Sequence, residues 1–251
     1  MDYLREYLND KKTLIGIQAG FALNAGKLLA QYDRTRRSLP KDQQYDATLT
    51  ISVLQAVAAN CVELLDSYEK YKPTRDNLNV PLLDISQRFG IGLSIVKHTY
   101  YQEMTYAKVI RCIRHSLSHP NYLGETSYPM TGFQSVPNEK GEIVAYLFIH
   151  SPLVKLVKNV WKPKLFSGKD IAKQIKKYSI EGGSIGLTST PRDALFEITL
   201  EGKPYVPCVQ LEIPLATLKV FTRELCNYLA QPVIDKSGPI WDCETVHALV
   251  A

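Results

Sequence analysis

The chain has 251 residues, of which 45% are hydrophobic and 22% are charged, which is the composition of a globular protein with one large domain or two small ones. Its net charge of +5 permits an anionic partner without requiring one. Five irregularly spaced cysteines, a charged N-terminus and the lack of a long apolar run predict a cytoplasmic protein with reduced thiols, without a signal peptide or membrane span.

Two long helices are predicted over residues 12–38 and 42–71, because apolar residues recur there at three- and four-residue spacing. A shorter helix is predicted over residues 82–89. Glycines in the first helix indicate close contact with a neighbouring helix, and they are Gly16, Gly20 and Gly26. Guanidiniums at its end suit the helix dipole or, alternatively, contact phosphate, and they are Arg34, Arg36 and Arg37.

A third long helix is predicted from Ile91 to Ser118 or His119, because Pro120 disfavours the helical conformation of the residue before it. At 100° per residue, one side of this helix is apolar, with Tyr106, Val109, Ile110, Ile113 and Leu117. The opposite side is polar, with Arg111, Arg114, His115 and Ser118. The sequence therefore places two guanidiniums and an imidazole on one side of a helix, close to its end.

After Pro120 the pattern changes to loops, strands and short helical segments. Loops are predicted over residues 122–138 and over the glycine-rich residues 181–190. A strand is predicted over 141–150, a strand or helical turn over 155–160 and a helix over 170–178. A hairpin is predicted in which strands over 194–200 and 205–211 flank the turn 201–203. An amphipathic helix over 215–229 is predicted to pack on the three earlier helices, followed by a C-terminal tail over 232–251.

Lysines alternate with aromatic residues between Lys155 and Tyr178. Lysines contact phosphates and aromatic rings stack on unpaired bases, so Lys173, Lys176 and Lys177 are candidate RNA-binding residues. The alternative is a solvated lysine-rich surface with the aromatic rings buried beneath it.

The polar side of the third helix suits phosphodiester chemistry. Arg114 offers a charged fork for phosphate, and an imidazole can transfer protons near neutral pH. If the nucleophile is the 2′-hydroxyl of RNA, no metal is needed. Two other interpretations remain: a solvated polar face, and a zinc site using Cys112, His115 and His119, although Arg111 and Arg114 would repel a dication.

Arg114, His115 and His119 resemble the Arg-x4-His pattern of HEPN-superfamily ribonucleases, in which an Arg and a polar residue precede a His at the end of a long helix. The resemblance implies a mainly α fold: a HEPN-like helical bundle of residues 1–120 and 213–231, with a β-containing insertion over 121–212 between the third and fourth long helices. It also implies that Arg114 binds the scissile phosphate and that His119 is the general base or acid. His115 would hold the phosphate or position Arg114, while Arg111 and Ser118 would bind RNA.

The function expected from this resemblance is a metal-independent endoribonuclease without cofactors, acting in defence, stress or a toxin–antitoxin system. Its products would carry 2′,3′-cyclic phosphate and 5′-hydroxyl ends. The family implies a homodimer with a composite active site and, in toxin systems, an antitoxin or regulatory partner. The alternatives are a non-catalytic RNA- or nucleotide-binding module and a regulatory partner protein.

Overall fold

The structure is a computed structural model that describes residues 11–41, 44–60, 78–83, 88–118, 131–152, 154–157, 160–163, 166–167, 170, 173, 183–187, 195–200, 203–204 and 208–234. The chain divides into two compact units. The first contains Met1–Gly92 and Pro214–Ala251, and the second contains Leu93–Ile213. The sequence analysis placed residues 1–120 and 213–231 in one unit and residues 121–212 in another.

Four helices lie in the described residues: α1 (Lys11–Thr35), α2 (Asp46–Asn60), α3 (Tyr106–Ser118) and α4 (Leu215–Ile234). Short 3-10 turns occupy Arg36–Ser38 and Leu93–Ile95. The strands are β1 (Val96–His98), β2 (Gly132–Pro137), β3 (Ile143–His150), β4 (Val154–Val157), β5 (Val160–Pro163), β6 (Phe166–Ser167), β7 (Gly183–Leu187), β8 (Leu195–Leu200), β9 (Lys203–Pro204) and β10 (Val209–Pro214). No helix in these ranges is long and apolar enough to cross a membrane.

Helices α1, α2 and α4 pack together in the first unit. Their buried residues recur at helical spacing, as in Leu218, Phe221 and Leu225 of α4. Gly26 lies at the closest approach of α1 to α4, because a Cβ atom there would be 3.2 Å from Cys226 Cβ. The predicted first and fourth helices are therefore confirmed, as is the close contact expected at Gly26.

A tight turn at residues 88–91 packs against α4. Phe89 and Gly90 both have positive φ values, 55° and 67°, and the Ile91 amide donates to the Arg88 carbonyl at 3.3 Å. The Phe89 ring is buried against Phe221, with ring centroids 6.0 Å apart. The short helix predicted over residues 82–89 is wrong at its described end, because a positive φ cannot continue a right-handed helix.

The second unit contains a four-stranded antiparallel sheet in the order β1-β10-β3-β2, with α3 packed on β2 and β3. In β10 the alternate residues Val209, Leu211 and Ile213 are buried, which is the two-residue period of a half-buried strand. A two-stranded sheet β4-β5 and a sheet in the order β6-β8-β7, with β9 paired to β8, complete the described strands.

The prediction of a mainly α, HEPN-like helical bundle is wrong, because the described residues form a mixed α+β structure. Helix α3, expected to complete a bundle with α1 and α2, buries its apolar side against strands of the second unit. An amphipathic helix needs an apolar partner, and the sequence pattern does not say whether that partner is a helix or a sheet.

The third helix is also shorter than predicted, since it begins at Tyr106 rather than at Ile91. Val96 pairs with Leu211 in the sheet, so residues 96–98 gain backbone partners as a strand. Thr105 then begins the helix as its N-cap: its hydroxyl accepts a hydrogen bond from the Lys108 amide at 3.3 Å. Its described part ends at Ser118, in agreement with the predicted end at Ser118 or His119.

The strand predictions after residue 120 are correct in part. The strand over 141–150 is confirmed by β3. The hairpin at 201–203 is correct in its first strand, β8, which pairs with the short β9 so that Leu200 is opposite Lys203. Its second strand is wrong in the described residues 209–211, because these belong to β10 in the four-stranded sheet. The segment 155–160 contributes to the hairpin β4-β5. The loops predicted over 122–138 and 181–190 are wrong where they contain β2 and β7, because both segments find a neighbouring strand.

Candidate functional site

The polar side of α3 is only partly open to solvent. Arg111 is exposed, whereas Arg114, His115 and Ser118 are half-buried. Ser118 Oγ is buried and accepts or donates no hydrogen bond within the described part of the chain. A hydroxyl in this state retains its full capacity for a ligand or water. The end of the helix is therefore not the freely solvated surface that the sequence left open as an alternative.

His115 stacks on His150, the last residue of β3. The ring centroids are 4.4 Å apart and the ring planes are inclined by 11°. Both residues are half-buried. The sequence analysis did not identify His150, because it lies 35 positions after His115 at the end of an apolar strand and no local motif contains it. Its position at the C-terminal end of a predicted strand was the only available signal.

Two contacts flanking the histidines fix their relative position. Ser116 Oγ lies 2.9 Å from the Ile149 carbonyl and 2.8 Å from the Cys112 carbonyl, so its single proton links α3 to β3 or is shared with the helix. After His150, the Ser151 amide donates to Thr131 Oγ1 at 2.9 Å, which ties the end of β3 to the segment before β2. The stacked rings are thus held from both sides.

The stacked pair places two groups capable of proton transfer side by side. With the ring centroids 4.4 Å apart, one imidazole can accept a proton from a substrate and the other can donate one. Arg114, which precedes His115 on the same helix, adds a permanent positive charge suited to an anionic substrate.

Cys112 faces away from this polar site into the interior of the second unit. Its thiol is fully buried, and its Sγ lies 4.0 Å from the Val209 carbonyl oxygen of β10. Burial raises the pKa of Cys112 to about 12, so the thiol stays protonated at neutral pH. Zinc requires the thiolate, which argues against Cys112 as a ligand beside His115. Among the described residues, no group of three potential ligands is placed to hold a metal ion.

The remaining candidate residues are only partly within the described structure. Lys173 is exposed. Lys176, Lys177 and His119 lie outside the described residues. In the lysine-rich segment, the hairpin β4-β5 places Lys155 opposite Lys162 in its register.

Comparisons of the chain with protein-family models, with curated proteins and with solved structures found no match.

Proposed function

We propose that this protein is a metal-independent endoribonuclease whose active site is the C-terminal end of α3. The observation that carries the proposal is the stack of His115 on His150, with His115 directly following Arg114 in α3: the guanidinium attracts the phosphate and the paired rings transfer protons. The Arg114-x4-His119 spacing, which resembles HEPN ribonucleases, supports the same chemistry. The helical bundle of that family is not part of the proposal.

The reaction would proceed through the 2′-hydroxyl of the RNA. A neutral imidazole takes the proton of this hydroxyl, and the 2′ oxygen forms a bond to phosphorus. The bond from phosphorus to the 5′ oxygen breaks, and an imidazolium donates the proton that this leaving oxygen needs. Arg114 stabilises the charge on the phosphorus oxygens, and the products carry a 2′,3′-cyclic phosphate and a 5′-hydroxyl.

Three imidazoles are candidates for the two proton transfers. His115 and His150 are supported by their stacking. His119 is supported by the sequence pattern alone and keeps its predicted role as general base or acid. Ser118 Oγ, which is buried without a hydrogen-bond partner in the described ranges, offers a donor to a phosphate oxygen. Arg111, which is exposed, is a further phosphate contact at the edge of the site.

The test is cleavage of labelled single-stranded RNA in the presence of EDTA. Replacing His115 or His150 with Ala should lower the rate by roughly 10²–10⁴, the usual cost of a lost acid or base. Arg114→Ala should lower it by roughly 10²–10³. The matched control is His98→Ala, because His98 is an exposed histidine at the end of β1 in the same unit, and this variant should cleave at the parental rate.

Three results would contradict the proposal: activity that disappears in EDTA, cleavage of RNA that is 2′-deoxy at the cut site, or parental rates in the His115→Ala, His150→Ala and Arg114→Ala variants. Binding of RNA without cleavage would instead indicate a non-catalytic RNA-binding module.

We also propose the homodimer with a composite site that the family resemblance implies. A single helix end provides a small polar surface, and a second copy would supply the opposite wall of a cationic cleft. Mixing the Arg114→Ala chain with the His150→Ala chain tests this: a composite site regains cleavage in the mixed dimer, whereas independent sites do not. Copurification from the native host would reveal an antitoxin or other regulatory partner.

A further inference from the structure

A row of exposed polar side chains on α1 leads into the connection between α1 and α2. Lys27, Gln31 and Arg34 are exposed at positions i, i+4 and i+7, so they share one side of the helix. With a rise of 1.5 Å per residue, Lys27 and Arg34 are about 10 Å apart along the helix axis. Arg37 and Lys41 follow in the connection, and both are exposed. Two exposed cations therefore lie on one side of α1, and two more follow along the chain in the connection.

Within the described residues, no acidic side chain forms an ion pair with Lys27, Arg34, Arg37 or Lys41. The nearby Asp33 is exposed, and at 100° per residue it lies about 120° around the helix from Lys27 and about 100° from Arg34. In the part of the chain that the structure describes, the positive charge of these four residues is therefore not neutralised by a carboxylate.

Several carbonyls at the end of α1 accept hydrogen bonds from hydroxyls and amides of the chain. Thr35 Oγ1 lies 3.2 Å from the carbonyl oxygens of both Gln31 and Tyr32, and Ser38 Oγ donates to the Thr35 carbonyl at 2.6 Å. The Leu39 amide donates to the Arg36 carbonyl at 3.1 Å. The carbonyls of Thr35 and Arg36 are therefore satisfied without a guanidinium from the end of the helix.

The connection between α1 and α2 is held closed at its ends. Arg36 forms an ion pair with Asp46, the first residue of α2, and Lys219 Nζ of α4 lies 2.7 Å from Asp46 Oδ2. Arg37, Lys41 and Tyr45 lie between the two ends of this closed connection. Tyr45 is 59% exposed and immediately precedes Asp46 of this half-buried ion pair.

We propose that this surface, the α1 strip, binds single-stranded RNA: Lys27, Arg34, Arg37 and Lys41 contact phosphates, and the Tyr45 ring stacks on an unpaired base. The inference rests on the proposed function in taking RNA as the anionic polymer. It adds a second contact surface to the one at the end of α3, and it specifies the single-stranded form, because a base within a duplex does not offer its face to Tyr45.

The binding test uses a fluorescein-labelled single-stranded oligouridine carrying 2′-O-methyl groups throughout, measured by fluorescence anisotropy at several salt concentrations. Arg34→Glu and Arg37→Glu should each weaken binding and reduce the salt slope by about one, the effect of losing one phosphate contact. The matched control is Lys140→Glu, which reverses one exposed charge in the β2–β3 turn and should leave the slope unchanged. Circular dichroism verifies that each variant is folded.

Substitutions of Tyr45 test whether its ring stacks on a base. Tyr45→Ala should weaken binding of the oligouridine about fivefold or more, the lower end of what base stacking on an aromatic ring contributes. Tyr45→Phe, which keeps the ring, should bind as the parent does. Neither change should alter the affinity for duplex RNA.

Two results would overturn the proposal. One is an Arg37→Glu variant that behaves like Lys140→Glu, and the other is a Tyr45→Ala variant that binds the oligouridine like Tyr45→Phe. Because 2′-O-methyl RNA cannot be cut through its 2′ oxygen, the binding result does not depend on cleavage. Failure of the ribonuclease proposal and failure of this one are therefore distinguishable.

Discussion

Replacing Gly90 with Ala should destabilise the first unit through two separable effects. Its φ of +67° places any L side chain in the left-handed region, which costs about 1–2 kcal/mol. A Cβ atom would also lie 2.8 Å from Val220 Cγ1, and overpacking of this kind costs about 1–3 kcal/mol. The sum is about 2–5 kcal/mol, a large part of the about 5–15 kcal/mol that holds a typical protein folded.

Urea denaturation followed by circular dichroism measures this cost, and two further variants separate its parts. Gly141 has a similar φ of +78° but no atom within 4 Å of a Cβ atom, so Gly141→Ala should show only the backbone cost of about 1–2 kcal/mol. Adding Val220→Ala to Gly90→Ala removes the nearest methyl group and should recover most of the overlap cost. The reasoning is refuted if Gly90→Ala costs no more than Gly141→Ala, or if Val220→Ala recovers nothing.

Three further predictions concern the buried polar groups. Burial raises the pKa of Asp46, but the hydrogen bond and charge of Lys219 and the charge of Arg36 outweigh it, so the folded pKa lies below the ordinary 3.8. Ionised Asp46 therefore stabilises the fold above pH 3.8, and this stabilisation is lost as the pH falls through the folded pKa. The difference in unfolding free energy between the parent and Asp46→Asn should therefore become smaller on acidification. A difference that does not change with pH would contradict this prediction. Ser116→Ala should lower the free energy of unfolding, measured by heat or urea, by about 1 kcal/mol, because it removes the hydrogen bond from α3 to β3. It should also slow RNA cleavage, because this hydrogen bond holds the two imidazoles in position. An unchanged free energy of unfolding would show that the hydrogen bond does not stabilise the fold. Burial raises the pKa of Cys112 to about 12, so its thiol should not react with iodoacetamide at pH 8 in the folded protein but should react after unfolding. Mass spectrometry measures the labelling. Rapid labelling of Cys112 in the folded protein would show that it is not buried.

The local features of this protein were determined by its sequence. The apolar spacing of α1 and α4 predicts both helices, since each buries a continuous stripe along its length. Pro120 predicts that α3 ends at Ser118 or His119, and its described part ends at Ser118. The run of β-forming residues before His150 predicts β3. In each case the signal lies within a few residues of the structure that it specifies.

The partners of these elements were decided only by the tertiary structure. The apolar side of α3 fits a helix or a sheet equally well, and its packing on β2 and β3 overturned the predicted bundle. The apolar spacing around residues 96–98 predicts a helix, yet these residues form a strand because their backbone groups pair with β10. The same holds for the candidate site, because the stacking of His115 on His150 depends on how α3 crosses β3. Hydrogen bonds and contacts between residues distant in the sequence leave no local pattern, so the second imidazole could not be found from the first.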